Sequence, residues 1–334
     1  MSQFPMRLDL LAIGRSGVDI YPLQTGLGLE HVTNFGKFLG GSPTNVAVAA
    51  ARMGRRTGLI TAVGNDPFGR FVRNELRRLG VSDEYVMTTD TNTPVTFCEI
   101  FPPDNFPLYF YRDLATPDLH IHAEHLPYDA IQEARIFWFS VSGLCAEPSR
   151  SAHHAALSAR NRAEWTIADL DYRQRFWASE EDAHEQANLV LEKAHVAIGN
   201  REECRIVVGE TDPDRAADAL LERGVEIAIV KQGNNGTLAK TRSERITVPC
   251  TPIETFNGLG AGDAFGGSLC HALLQGWDLG DAIRFASTAG AIVASRLECS
   301  TAMPTEFEVH HLMNKHTDTA PIVEAVNTPA REQS

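Results

Sequence analysis

Short apolar runs alternate with longer amphipathic stretches through most of the chain, and this alternation gives the first structural prediction. Six runs have the length and composition of buried strands: LDLLAIG (8–14), RTGLITAVG (56–64), ARIFWFS (134–140), AEWTIADLD (163–171), AHVAIGN (194–200) and GVEIAIVKQG (224–233). Helical spacing appears in SPTNVAVAAARMG (42–54), in PFGRFVRNELRRLG (67–80) and from Ala264 to Gln275. The pattern therefore predicts an α/β fold, with helices flanking a doubly wound, mostly parallel sheet.

Two segments interrupt this alternation. Residues 15–40 and 91–116 resemble consecutive short strands with proline and asparagine turns, and they show little helical periodicity. We expect them to form a small β-sheet lid over one edge of the main sheet. The α/β body would then comprise residues 1–14, 41–90 and 117–315, and the polar residues 316–334 would form a flexible tail.

Composition narrows the classes of partner. The 334 residues carry a formal net charge of −13, with a pI near 5.4, which argues against binding to nucleic acid or to an anionic membrane. The six cysteines form no CxxC pair, as expected for reduced thiols. The N-terminal stretch MSQFPMRLDLLAIG has neither the pattern of a signal peptide nor that of a membrane span, so a cytoplasmic protein is expected.

The stretch ETFNGLGAGDAFGGSLCHALL (254–274) places glycines and one acid directly before an apolar helix. Its spacing matches neither a dinucleotide-binding GxGxxG nor a P-loop, which excludes a nicotinamide-dependent oxidoreductase of the usual type. The first amides of a helix lack partners, and the helix dipole favours anions at that end. Amides near Gly260, Ala261 and Gly262 could therefore hold the charge that develops on a transferred phosphoryl group.

Asp263 is unexpected in an anion cradle, because phosphates repel a carboxylate. It fits if it accepts the proton of an attacking hydroxyl, since phosphoryl transfer needs mainly positioning and one base. The alternative is an aspartate that caps the helix in a glycine-rich turn. A second glycine pair, in FLGGSPTNVAVAAARMG, puts Gly41 and Asn45 where they could hold a polyol hydroxyl, although Asn45 could equally serve the helix start.

Three motifs together resemble the ribokinase-like, or PfkB, carbohydrate kinases. GGSPTNVAVAAARMG, VGNDPFG and NGLGAGDAF occur in that family's order and at its spacing, and the resemblance covers roughly residues 8–310. It implies an enzyme that phosphorylates a sugar hydroxyl with ATP and Mg²⁺, with Asp263 as general base and residues 260–262 as the anion hole. One departure is that Asn257-Gly258-Leu259 precedes GAGD where the family has polar side chains, which puts a monovalent-cation site in doubt.

The resemblance also implies further site residues. They are Asp19, Gly41 and Asn45 for the sugar, Lys231, Gly233 and Gly236 for the nucleotide, and Asn200 with Glu203 for phosphate and Mg²⁺, Glu203 acting through water. From the residues alone, Asp19 would be a turn residue and Glu203 part of a solvated helix face. A homodimer formed through the lid is a further expectation, because it is common in the family.

Two arginines indicate the class of sugar. Arg173 follows the predicted strand that ends near Asp169, and Arg112 ends a predicted lid strand. A guanidinium binds a carboxylate bidentately, so the pair favours a sugar acid, unless each arginine only pairs with a neighbouring aspartate at the surface. Asp169 and Asp171 could suggest a metal site, but Arg173, two residues after Asp171, would oppose the binding of a metal cation through its positive charge.

The segments GGSPTN, YRDLATPDL, SGLCAEPSR and DLDYRQRFW narrow the resemblance to family members that phosphorylate 5-dehydro-2-deoxygluconate in inositol breakdown. Members that act on 2-dehydro-3-deoxygluconate are the nearest alternative, and a catalytically silent sugar-binding regulator on the same scaffold is the alternative outside enzymes. The expected partners are therefore a sugar acid and ATP. The histidines of HIHAEH (His120, His122, His125) share their spacing with metal ligands, but no acidic or cysteine cluster accompanies them.

Overall fold

The structure is a computed structural model that describes residues 7–163 and 165–326. The strands in these residues are β1 (Leu10–Ile13), β2 (Gly17–Pro22), β3 (Phe35–Gly40), β4 (Thr57–Gly64), β5 (Val81–Ser82), β6 (Val86–Thr89), β7 (Val95–Cys98), β8 (Leu108–Tyr111), β9 (Ile136–Ser140), β10 (Thr166–Asp169), β11 (Val196–Asn200), β12 (Ile227–Lys231), β13 (Thr237–Lys240), β14 (Glu244–Val248) and β15 (Ile322–Ala325). The α-helices are α1 (Ser42–Arg52), α2 (Pro67–Arg78), α3 (Tyr128–Glu133), α4 (Ser149–Arg160), α5 (Glu180–Leu191), α6 (Arg201–Val208), α7 (Pro213–Glu222), α8 (Ala261–Gln275), α9 (Leu279–Ala294) and α10 (Glu306–Lys315).

The large sheet has the order β15-β14-β13-β12-β11-β10-β9-β1-β4-β5, and β6 also pairs with β4. Every pairing from β12 to β5 and β6 is parallel, whereas β13, β14 and β15 add an antiparallel end. Parallel strands need crossover connections, and the helices that follow the apolar runs supply them. The predicted fold class, a mostly parallel sheet flanked by helices with a separate small sheet, is confirmed.

Consecutive residues of the central strands pack into two different hydrophobic clusters. In β1, Leu11 and Ile13 belong to one cluster, whereas Leu10 and Ala12 belong to the other. β9 divides in the same way, with Phe137 in the first cluster and Trp138 in the second. Because successive side chains of a strand point to opposite faces, the sheet is buried on both faces. This explains why these strands are continuously apolar in sequence rather than alternating.

The small sheet has the order β3-β2-β7-β8, and all four strands lie inside the segments 15–40 and 91–116. β2 pairs with β3 in antiparallel fashion and with β7 in parallel, and β7 pairs with β8 in antiparallel fashion. β2 begins four residues after β1 ends, so the small sheet starts directly from the carboxyl edge of the large one. The function of this sheet as a lid stays a prediction.

The C-terminal segment differs from the expectation of a flexible tail. Residues 322–325 form β15, which pairs with β14 from Thr247↔Ile322 to Glu244↔Ala325. Arg245 links the two strands through an ion pair with Glu324 at 2.7 Å. Residues 327–334 of the predicted tail lie outside the described residues. Within the described part of the chain, no helix is long and apolar enough to cross a membrane.

Candidate active site

A pocket opens where the carboxyl ends of the large sheet's strands meet the small sheet, the usual ligand position in an open α/β sheet. Its lining comprises Arg15, Asp19, Tyr21, Gly41, Ser42, Asn45, Thr96, Leu108, Phe110, Arg173, Leu259, Gly260, Asp263 and Cys299. The small sheet contributes alternate residues of β2 and β8, namely Asp19 with Tyr21 and Leu108 with Phe110. One face of that sheet therefore covers the pocket.

The glycine-rich stretch forms the N-terminus of α8 and leaves its amides free. Gly260 is the N-cap residue, with φ of +81°, and no side chain caps the helix. Two features disfavour a side chain at this position. The positive φ strains residues other than glycine, and an added Cβ would lie 2.7 Å from the sulfur of Cys299. The amides of Ala261, Gly262 and Asp263 thus lack the intrahelical partners of later turns and can receive an anion.

Asp263 lies in the first turn of α8 without capping it. Ser42 Oγ donates to Asp263 Oδ1 at 2.7 Å, and Asn45 Nδ2 donates to Asp263 Oδ2 at 2.8 Å. Both donors lie in the first turn of α1, so the two helix N-termini converge on this carboxylate. Burial raises the pKa of Asp263, although the bonds from Asn45 and Ser42 oppose that rise. The interpretation as a helix cap is thereby replaced by a carboxylate that is held in place and partly exposed to the pocket.

Gly41 and Asp19 shape the opposite side of the pocket. Gly41 adopts φ of +104°, and a Cβ there would lie 2.4 Å from the carbonyl oxygen of Arg15. Asp19 accepts a hydrogen bond from the hydroxyl of Tyr21 at 2.9 Å, so it is a strand residue of β2 rather than a turn residue. Burial raises the pKa of Asp19 to about 6, with the Tyr21 bond and the charge of Arg15 opposing the rise. This carboxylate can accept hydrogen bonds from sugar hydroxyls.

Two guanidinium groups line the pocket on either side of one carboxylate. Asp171 Oδ1 lies 2.9 Å from Arg173 and its Oδ2 lies 3.4 Å from Arg15. Burial disfavours the charge on Asp171, but Arg173 and Arg15 outweigh burial and lower its pKa. The Nε atoms of both arginines are buried without a hydrogen-bond partner among the described residues. The group therefore retains a net positive charge and unused donors.

Arg112, predicted to bind the substrate, lies elsewhere. Its guanidinium pairs with Asp118 at 2.9 Å and stacks over the ring of Phe176, with 4.3 Å to the ring centroid. Both partners of the ion pair are almost fully buried, so this is neither the predicted substrate contact nor a surface pair with Asp113. The arginine that shares the pocket with Arg173 is Arg15, which the sequence analysis missed. Its position directly after β1, at the carboxyl edge of the sheet, was the available signal.

Lys231, at the end of β12, supplies a cation beside the anion hole. A Cβ on Gly262 would lie 3.2 Å from its Nζ, which places the ammonium next to the free amides of α8. Burial lowers the pKa of Lys231, but the negative charges of Glu203, Asp169 and Asp263 outweigh burial and raise it. Lys231 is thus charged at neutral pH and suited to phosphate.

Asn200 and Glu203 form a capping box at the start of α6. Asn200 Oδ1 accepts from the Glu203 amide at 2.9 Å, and Glu203 Oε2 accepts from the Asn200 amide at 2.6 Å. Glu203 is buried rather than part of a solvated face. Its second oxygen, Oε1, accepts no hydrogen bond from any residue that the structure describes.

A second, larger cleft of about 1010 Å³ adjoins the anion hole. Ala261 lines this cleft while Gly260 lines the first pocket, so the start of α8 separates the two. Gly233 lies in the lining, together with apolar residues such as Pro252, Ile253 and Ala294. Gly236 does not: it adopts φ of +86° where the chain passes from β12 to β13, and a Cβ there would lie 2.2 Å from a backbone oxygen.

Comparison with known proteins identifies the family of this chain. The sequence profile described as pfkB family carbohydrate kinase matches residues 7–306. The chain belongs to the PfkB family of carbohydrate kinases. A 5-dehydro-2-deoxygluconokinase of Geobacillus thermodenitrificans is 33% identical over 309 residues, which are 89% of this chain and 90% of the relative. A 5-dehydro-2-deoxygluconokinase 2 of Bacillus cereus is 33% identical over 318 residues, which are 92% and 95% of the two chains.

The PfkB fold is also shared with solved structures. A putative ribokinase II of E. coli, in complex with ATP and Mg²⁺, superposes with a TM-score of 0.84 at 22% identity, over 92% of this chain and all of the other. The predicted family and the prediction of a sugar kinase are confirmed. The individual site residues stay predictions, and the geometry above shows which of them lie together.

Asn257-Gly258-Leu259, the segment in which the chain departs from the PfkB pattern, stabilises the local backbone. Asn257 is fully buried, donates to the carbonyl oxygen of Leu297 at 2.6 Å and accepts from the Leu259 amide at 3.1 Å. Both ends of its side chain are therefore occupied by the backbone. The three histidines His120, His122 and His125 line a separate surface pocket beside β6, away from the site.

Proposed function

We propose that this PfkB-family kinase transfers the γ-phosphate of ATP to the terminal hydroxyl of 5-dehydro-2-deoxygluconate, giving the 6-phosphate. The relatives that are about 30% identical over most of the chain carry the name of that activity. A place in inositol catabolism is part of this proposal. The observation that carries the proposal is the pair Arg15 and Arg173 in the pocket that also contains Asp263.

The charge balance around Asp171 favours an anionic substrate. Two guanidinium groups share one carboxylate, so one positive charge remains uncompensated within that group of three. A substrate carboxylate would neutralise it by meeting the guanidinium groups of Arg15 and Arg173, both of which line the pocket. A neutral sugar would offer no carboxylate to the second guanidinium of this group.

The other residues of the site each have a role in the proposed phosphoryl transfer. Asp19 and Asn45 hold hydroxyl groups, while Asp263 accepts the proton of the terminal hydroxyl as that oxygen attacks phosphorus in line with the leaving ADP oxygen. The amides of residues 260–262 and the ammonium of Lys231 stabilise the charge on the transferred group. The small sheet excludes water and so limits hydrolysis of ATP.

Mg²⁺ fits the donor set of Glu203. Protein sites for this ion use one or two carboxylates, together with waters and substrate phosphates, and no cluster of three or more metal-ligating side chains occurs in the described residues. Glu203 Oε1 is free of hydrogen bonds from described residues and could hold the ion through water. When bound, the ion neutralises charge on the ATP phosphates.

Parallel steady-state assays test the substrate assignment. ADP release is measured with 5-dehydro-2-deoxygluconate, with 2-dehydro-3-deoxygluconate and with fructose as a neutral control. We expect the highest kcat/KM with the first and the lowest with fructose. A higher kcat/KM with 2-dehydro-3-deoxygluconate would transfer the assignment to that acid, and a preference for fructose would contradict the sugar-acid proposal altogether.

A further inference from the structure

Ser42 lies between two carboxylates with different surroundings. Its Oγ is 2.7 Å from Asp263 Oδ1 and 3.2 Å from Asp169 Oδ2. Asp263 lines the substrate pocket, whereas Asp169 lies at the end of β10, is 7% exposed and does not line that pocket. The proposed transfer uses only Asp263, so the role of the buried Asp169 is open.

Counting protons restricts the ionisation states of this trio. A serine hydroxyl carries one proton and can donate it to one acceptor at a time. If Asp169 and Asp263 were both ionised, the single hydrogen of Ser42 would have to serve both oxygen–oxygen contacts. A proton on one of the two carboxyl groups supplies the second hydrogen, which favours a singly protonated pair.

The contacts favour Asp169 as the protonated partner. Asp263 receives two side-chain donors, Ser42 and Asn45, and its bond with Ser42 is the shorter one, as expected for an ionised acceptor. Apart from Ser42, the donor that Asp169 receives among the described residues is the backbone amide of Asp171, at 3.2 Å. Asp169 is also more fully buried, and burial disfavours charge.

The charges that face Asp169 point the same way. Burial raises the pKa of Asp169. The positive charges of Lys231 and Arg173 oppose this rise, whereas the negative charges of Asp171, Glu203 and Asp263 add to it, so that the pKa lies above its usual value. The charge of Lys231 also interacts with groups other than Asp169. The negative charge of Glu203 raises the pKa of Lys231, and the ammonium lies beside the anion hole.

We propose that Asp169 is a positioning residue that carries a proton, donates it in a hydrogen bond to Ser42 Oγ and so fixes Ser42 as a donor to the ionised Asp263. The proposal rests on the proposed role of Asp263 as the base. No bond to substrate involves Asp169. Its proton keeps the Ser42 hydroxyl aimed at Oδ1 of Asp263, so that the remaining lone pairs of the base face the incoming hydroxyl.

Three substitutions of Asp169 test this assignment. Asp169→Asn keeps the shape and offers an N–H donor to Ser42, as the protonated acid does, and we expect it to lose no more than about fivefold in kcat. Asp169→Leu keeps the approximate shape without a donor, and Asp169→Ala removes the group. Both should lose about tenfold to a hundredfold in kcat, with KM for the sugar acid nearly unchanged, because a misaimed base costs on that order.

Asp9 provides a matched control. It is also 7% exposed, but it lies before β1, at the opposite end of that strand from the pocket, where it pairs with Arg56. Asp9→Asn and Asp9→Leu should change the thermal unfolding temperature without the selective loss of kcat. An Asp169 variant that binds ATP and unfolds at the same temperature as the wild type is correctly folded, so its loss of kcat is not a folding defect. If Asp169→Leu and Asp169→Ala do not fold, the comparison of kcat between Asp169→Asn and the wild type decides alone.

The outcomes separate this proposal from the proposed function. If Asp169→Asn loses as much kcat as Asp263→Asn, Asp169 acts as an ion and the proposal is wrong, while the base role stands. If Asp169→Leu keeps wild-type kcat, positioning through Ser42 is wrong. A double-mutant cycle adds an independent test, since Asp169→Leu should cost little more once Ser42→Ala is present, whereas separate roles would give losses that multiply.

Discussion

At the scale of single residues, Asp263 gains its proposed role from what surrounds it. Ser42 and Asn45 hold its two oxygens from a neighbouring helix, so the carboxylate cannot turn back to cap α8. Burial raises its pKa, which makes it a better proton acceptor than an exposed aspartate while the two donors keep it aimed. The first turn of α8 thus supplies both the free amides and the positioned acid.

Arg173 and Arg15 yield a prediction about substrate class. Arg173→Ala and Arg15→Ala should each lower kcat/KM for the sugar acid by about tenfold to two-hundredfold, because each removes a charge-assisted hydrogen bond of about 1.5–3 kcal/mol. Turnover of any neutral sugar that the enzyme accepts should change little. The measurement is kcat/KM of both variants with an acid and with a neutral sugar.

Arg112→Ala is the matched control for the two arginines. Arg112 is buried in an ion pair with Asp118 outside the pocket, so its loss should lower stability without changing the ratio of acid to neutral turnover. Equal losses on acid and neutral sugar for Arg173→Ala would mean that Arg173 has a structural role.

The sequence predicted the type of residue at this site better than its position. Arg173 follows a strand end and was found from that position, whereas Arg112 was assigned from its place at the end of a lid strand. Nothing in the sequence shows that Arg112 pairs with Asp118 and stacks on Phe176, because those contacts depend on how the segments after β8 and β10 pack together. Arg15 was missed as a site residue, and Asp169 was considered only as half of a possible metal site, for the same reason: their roles arise from contacts across the sheet.

At the scale of secondary structure elements, helix starts carry most of the site. The sequence predicted α8 from Ala264, but the helix begins at Ala261, because Gly260 in a left-handed conformation starts it without a capping side chain. α6 starts instead with a capping box, and its N3 residue, Glu203, is the residue predicted to hold Mg²⁺ through water. One residue therefore has a structural role and a proposed catalytic one.

Two substitutions of Glu203 separate these roles. Glutamine can also accept the bond of a capping box, so Glu203→Gln should keep the thermal unfolding temperature near that of the wild type and raise the Mg²⁺ concentration needed for half-maximal activity. Glu203→Ala should show the same change in Mg²⁺ dependence and also lose about 0.5–2 kcal/mol of stability. Titration of activity with Mg²⁺, together with thermal unfolding, measures both. Unchanged Mg²⁺ dependence in both variants would restrict Glu203 to capping.

At the scale of the whole molecule, the alternation of apolar runs and helices was sufficient to predict the parallel sheet. The central strands are buried on both faces, and their unbroken apolar runs reveal this. The sequence did not reveal β15, whose residues are exposed and which joins the sheet through its backbone pairing with β14 and the ion pair of Arg245 with Glu324. The small sheet was recognisable in the sequence from its short strands. The alternation of side chains that directs Asp19 and Phe110 into the pocket was not recognisable.

The opposite face of the small sheet bears the aromatic residues Phe35, Phe97, Tyr109 and Tyr111, and Tyr111 is 69% exposed. We propose that this face contacts a second copy of the chain, since exposed aromatic patches mark interaction surfaces. Tyr111→Glu should then shift a dimer towards monomer in analytical ultracentrifugation. Tyr128→Glu, on α3 and 36% exposed, is the control that should leave assembly unchanged. A wild-type protein that sediments as a monomer at micromolar concentration would remove this proposal.

The central claim is that free amides at residues 260–262 stabilise the migrating phosphoryl group while Asp263 deprotonates the sugar hydroxyl. The most direct measurement is the turnover of Asp263→Asn with ATP and 5-dehydro-2-deoxygluconate, alongside the binding of both. We expect kcat to fall by about 10²–10⁴ with binding largely kept, because the variant keeps the shape and loses the base. Turnover within a few fold of the wild type would contradict the account.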